Sequence, residues 1–201
     1  MSTIVNLCEQ LADAHEAKGI AVRSTLQPGL RRDDILAQTA SLGFALPESI
    51  VELYAWHNGH GFTEPWHEGP ALRFRDTAFL SFEVALTEYR ELQSYREATD
   101  STLSSDGIDL RTSFPIAQIQ GVWLVVACGE HLYGNDKTDV VVSVYHDIEL
   151  YFYSVESMLK TCLAWVSHPA WNENAYELLP DGIERDIWQR FNPGIRAAQS
   201  L

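Results

Sequence analysis

The stretch Phe114-Pro115-Ile116-Ala117-Gln118-Ile119-Gln120-Gly121-Val122-Trp123-Leu124-Val125-Val126-Ala127-Cys128 carries two apolar runs joined at Gln120-Gly121. It reads as two strands, 114–119 and 122–128, linked by a turn. A second pair follows at 140–145 and 149–153, joined around His146-Asp147. Ser154 then caps a helix whose Val155, Met158, Leu159, Cys162 and Val166 recur at helical spacing and face inward. Pro169 follows that helix. A shorter helix is expected near 181–191, stopped by Asn192-Pro193-Gly194.

Upstream of the strands the pattern is helical. Ile4, Leu7, Leu11 and Ala14 predict a first helix over 3–18, ended by Gly19. Asp33 and Asp34 open a second helix over 31–42, closed by Gly43. Pro47 and Glu48 suit the first turn of a third, which buries Ile50, Val51, Leu53 and Tyr54 and ends in Asn58-Gly59. That reading predicts a buried Leu46, a buried Leu53 and a positive φ at Gly59. Residues 72–74 and 79–80 read as short strands. Ser81 caps a fourth helix to about residue 96, with Phe82, Ala85, Leu86 and Tyr89 inside. Residues 99–112, rich in Ser and Asp, read as a loop. Helices, then consecutive strands, then helices give an α+β domain: a single, mostly antiparallel sheet covered by helices.

Composition narrows the function. Lys and Arg number 14 against 28 Asp and Glu, a formal charge of −14. That field repels phosphates and anionic lipid, so nucleic acid and membrane are poor partners and a basic protein is a good one. Solubility alone also accounts for an acidic surface. The three cysteines, Cys8, Cys128 and Cys162, lie far apart in apolar stretches and read as small buried hydrophobes. No signal peptide or membrane-length apolar run is present in these residues. A reducing cytoplasm is the expected setting.

Motifs for catalysis are sparse: there is no phosphate-binding glycine loop, no GxSxG elbow, no HExxH and no CxxC pair. His57, His60 and His67 are the one histidine cluster, but Asn58-Gly59 interrupts the helix between the first two. They read as helix-end and loop histidines; no metal and no cofactor are expected. Trp56, at the end of an amphipathic helix, reads as core. The loop after residue 59 carries Glu64, Trp66 and Glu68, and the turn between the strand pairs carries Glu130, Asp136 and Asp139. These six read either as a solvated acidic face or as a docking rim in which Trp66 is the anchor.

The order of short motifs resembles the SUKH superfamily, which holds fungal cell-wall-assembly regulators and many bacterial immunity proteins. The resemblance runs from Leu42-Gly43 through Leu46-Pro47 to Asn58-Gly59. It continues through Phe79-Leu80-Ser81, then Phe114-Pro115-Ile116-Ala117 with Gln120-Gly121, and closes on residues 150–153 and the Ser154 helix. It covers about 31–166 of one domain spanning 1–201. Residues 1–30 form an N-terminal helix and connection, and 167–201 a C-terminal helical extension. The resemblance implies a non-enzymatic protein, monomer or weak dimer. It would bind a cognate toxin or effector domain, often one that attacks nucleic acid. The fungal type of regulatory or scaffolding role is the alternative within the family, and a metal-dependent enzyme centred on the histidines is a third.

Overall fold

In the computed structural model, residues 2–61, 70–99, 107–129, 139–145, 147–172 and 179–195 are described. The first helix, α1 (Thr3–Ala17), starts where the Ser2 hydroxyl accepts the Val5 N–H and stops at Gly19. Its stripe of Ile4, Leu7, Cys8, Leu11, Ala12 and His15 is buried, and α5 (Val155–Ser167) is the helix it packs against most closely. Helix α2 (Arg32–Thr39) buries only Ile35 and Thr39. Helix α3 (Glu48–Trp56) follows Pro47 and buries Ile50, Val51, Leu53 and Tyr54. Helix α5 carries a full capping box, with Ser154 and Ser157 each accepting the other's backbone N–H.

Six strands form one antiparallel meander in chain order: β3 (Arg73–Phe74), β4 (Thr77–Phe79), β5 (Ser113–Ile119), β6 (Val122–Ala127), β7 (Val141–Val144) and β8 (Ile148–Phe152). The α+β class and the antiparallel sheet flanked by helices are as the sequence predicts. A separate ribbon of β1 (Leu26–Pro28) and β2 (His57–His60) was not anticipated. Pro115 lies in an inner strand, where a missing N–H is normally costly; it falls at a bulge, where the ladder is already interrupted.

The sheet is covered on both faces. Phe114, Ile116, Leu124, Val126, Val141 and Phe152 join α1, α3 and α5 in the main core. Val125, Ala127, Val142, Val144 and Leu150 pack with Leu92, Ile108 and Leu110 in a second cluster. Leu92 belongs to α4 (Phe82–Thr99), whose inner face differs from the predicted one. Phe82 and Ala85 are buried, but Leu86 and Tyr89 are only half-buried, and Glu88 and Leu92 take the inner positions. The Glu88 carboxylate accepts the Trp123 indole N–H at 2.7 Å, which makes this burial tolerable. Desolvation nonetheless raises its pKa.

The C-terminal helix α6 (Asp181–Phe191) seals the outer edge of β8 with side chains. Trp188 donates its indole N–H to the Tyr151 carbonyl at 2.8 Å, and Asn192 Oδ1 accepts the Tyr153 N–H at 3.1 Å. An exposed edge would invite pairing with another chain. Arg75 Nε reaches Glu184 Oε1 at 2.8 Å and fastens α6 to the β3–β4 turn. No helix among the described residues is long and apolar enough to cross a membrane.

Candidate protein-interaction surface

The Asn58-Gly59 pair builds this surface, though not as a helix terminus. Helix α3 ends at Trp56, and His57 is already extended, with φ −149°. The next residues form β2, pairing Leu26 with His60 and Pro28 with His57. Gly59 does have positive φ, 57°, and Leu46 and Leu53 are buried, as predicted. The reason for the glycine is different. Its backbone passes directly over the Leu80 carbonyl, and an added Cβ would sit 2.6 Å from the Ser81 nitrogen. Asn58 uses the same approach: its Oδ1 accepts the Phe82 N–H at 2.7 Å, and its Nδ2 donates to Glu83 at 3.2 Å. The ribbon thereby supplies a cap for α4 from a distant part of the chain.

A continuous belt of polar and aromatic contacts runs from α1 across this ribbon. Arg23 meets Glu9 at 2.7 Å, Asp13 at 2.8 Å and Glu16 at 2.8 Å. Glu9 Oε1 accepts the Trp56 indole N–H at 2.7 Å. The Trp56 ring meets His57 edge-on at 4.5 Å, and His57 Nδ1 bonds the Gln27 carbonyl at 2.7 Å. Gln27 Nε2 donates to the His60 carbonyl at 3.2 Å. Arg23, followed by Trp56, holds the Glu9 carboxyl below its usual pKa, so it stays charged. Three carboxylates around one guanidinium leave a local excess of −3 + 1 = −2. Asp13 presents most of it, with 71% of its side chain exposed. Trp56, expected in the core, packs against the main core but is only half-buried, and its indole N–H reaches out to Glu9.

Of the six residues singled out in the sequence, Glu64, Trp66, Glu68, Glu130 and Asp136 lie outside the described residues, as does His67. Asp139 is half-buried beside Cys128, whose thiol pKa is pushed up by burial and then by this carboxylate. The register aligns Leu72, Phe79, Ala117, Leu124 and Ser143 across the meander. Pro70 and Asp139 precede β3 and β7, and β4, β5 and β6 lie between those strands in the sheet.

His57 and His60 each bond a backbone group of another segment. Their partners differ, and among the described residues no three His, Cys, Asp or Glu side chains gather as a metal-binding group. All three cysteines are free; Cys8 and Cys162 are buried, Cys128 is half-buried, and burial pushes the Cys162 thiol up to about 12. No family model matches the chain, and no curated protein matches it.

Proposed function

We propose that this protein is an immunity protein of the SUKH superfamily. It binds and neutralises a cognate polymorphic or secretion-system toxin, a nuclease or another effector that attacks nucleic acid. The observation that carries this reading is the belt of Glu9, Asp13, Glu16 and Arg23 joined to Trp56 and His57, on a chain of charge −14. Enzymes that act on nucleic acid present basic clefts, because phosphate contacts dominate their affinity. An acidic surface with an aromatic group can occupy such a cleft, speed encounter and exclude the substrate together. The ordered SUKH-like motifs supply the biological class. Trp66, which lies outside the described residues, is the proposed anchor for the partner.

Affinity capture from the native host, followed by mass spectrometry, tests the reading. The expected result is one stoichiometric basic protein, encoded beside this gene and carrying a nucleic-acid-degrading or modifying domain. Capture of several weakly bound cell-wall or regulatory proteins would favour the scaffolding alternative instead.

A further inference from the structure

We propose that His60 is a proton-operated pin between the two sheets: neutral, it ties the β1–β2 ribbon to the edge of the six-stranded sheet, and protonation releases that tie.

The geometry fixes the tautomer. The Leu72 backbone N–H points at His60 Nε2 at 2.7 Å. An amide N–H can only donate, so Nε2 must offer its lone pair. The ring proton therefore sits on Nδ1, which faces the Thr25 hydroxyl oxygen at 3.0 Å. Thr25 in turn reaches the Pro70 carbonyl at 2.7 Å and the Val22 carbonyl at 2.9 Å. One imidazole thus joins three segments. It belongs to β2, its Nδ1 holds the residue that precedes β1, and its Nε2 holds the residue that precedes β3. His60 is only 3% exposed, so water cannot take over these roles.

A second proton would have to enter at Nε2, where the Leu72 N–H already points. Two N–H groups would then face each other at 2.7 Å. The Leu72 carbonyl lies at 3.4 Å from Nε2 and already accepts the Phe79 N–H at 3.0 Å. Among the described residues, Arg73 of β3 and His15 of α1 both disfavour added positive charge on the ring. Burial does so most strongly, and the imidazole is held down to about 4. Other contacts between ribbon and sheet are untouched by this proton. Gly59 still packs on Leu80, and Asn58 still caps α4. The consequence is a local parting at Thr25, Pro70 and Leu72, not unfolding of the sheet.

The test is nuclear magnetic resonance on the full chain between pH 7.5 and 4.5. The His60 ring is observed directly, together with exchange of the Leu72 and Val126 amides, corrected for intrinsic rates. The pin predicts an Nδ1–H tautomer that persists below pH 5. It also predicts Leu72 protection that falls about 10-fold per pH unit below about 6.5 and stays lower than that of Val126, whose exchange reports opening of the whole sheet; a one-proton linkage gives that slope. His60→Gln, which cannot titrate, should abolish the pH dependence at Leu72. Titration of His60 near 6.5 with no change at Leu72 would overturn the proposal. So would an identical acid loss of Leu72 protection in His60→Gln. If that variant does not fold, the wild-type ring titration and Leu72 exchange decide the matter alone.

Discussion

Asn58 Oδ1 accepts the backbone N–H of Phe82 at 2.7 Å, so a residue of the small ribbon caps a helix that starts 24 positions later in the chain. Phe82 is fully buried, and its N–H has no water to turn to. Asn58→Ala leaves that donor unpaired and should cost about 2 kcal/mol, within the range for buried unpaired donors and lost caps. Asn58→Asp keeps an acceptor but places a second carboxylate against Glu83, so its cost should be smaller and should shrink with added salt. Urea unfolding at low and high ionic strength checks both. A loss under about 0.5 kcal/mol in Asn58→Ala would contradict the capping role.

Gly59 and Gly121 both have positive φ, 57° and 82°, but only Gly59 faces backbone. Nothing lies within 4 Å of a Cβ placed on Gly121. Replacing each by Ala therefore separates conformational strain from collision. Gly121→Ala should cost about 1 kcal/mol, the left-handed strain of an ordinary residue. Gly59→Ala should cost clearly more, because the Leu80 carbonyl must move, and Gly59→Val more again. Thermal and denaturant melts of the three variants would show this order. Equal losses for the two alanine variants would remove the collision from the account.

Asn192 is fully buried and holds the Tyr153 N–H, the Thr161 hydroxyl and the Trp188 carbonyl at 3.1 Å each. It is the point at which α6 closes the edge of β8. Asn192→Ala should lower stability by about 2–3 kcal/mol, since several buried polar groups lose their partner together. It should also raise amide exchange at Tyr153 more than at Val126. Uniform loss of protection would mean that α6 stabilises the whole core and not this edge.

Acid should weaken the fold as two buried histidines are forced to charge. His60 is held down to about 4, and burial also lowers His15, whose Nδ1 donates to the Leu11 carbonyl at 2.9 Å while its Nε2 is buried without a partner. Both pKa values are depressed in the folded chain relative to about 6.5 in the unfolded one. Below 6.5 the unfolded chain binds protons that the folded chain refuses, so stability is complete above that pH and declines beneath it. The His60 share is used up near pH 4 and amounts to about 3 kcal/mol. Melts at pH 7.5, 5.5 and 4.5 should fall in that order, and His15→Phe should make the decline shallower.

The sheet was legible because each strand pair is an apolar run interrupted by a turn signal, such as Gln120-Gly121, whose residues both have positive φ. Helix α5 was legible from its Ser154 cap and spaced apolar residues. Asn58-Gly59 was half legible. Positive φ at Gly59 follows from residue type, but sequence cannot distinguish a helix terminus from a close passage over another strand's end. The belt was not legible at all. Its Trp56–Glu9 bond spans 47 positions, and no local pattern marks either residue as the other's partner. Likewise, Asn192 reads as a helix stop, while its work on β8 depends on a fold already formed.

The most direct test of the proposed function is a calorimetric titration of the gene-linked toxin domain across a salt series. Wild type is compared with Asp13→Asn/Glu16→Gln, which lowers the charge of the exposed belt without touching Glu9 or Trp56. The account predicts one-to-one binding that weakens as salt rises. The double variant should bind about 10-fold more weakly at low salt, with a flatter salt dependence, as expected when rim charges steer association. Trp66→Ala should cost about 2 kcal/mol or more, the scale of a central anchor. No binding, or binding indifferent to salt and to all of these substitutions, would contradict the account.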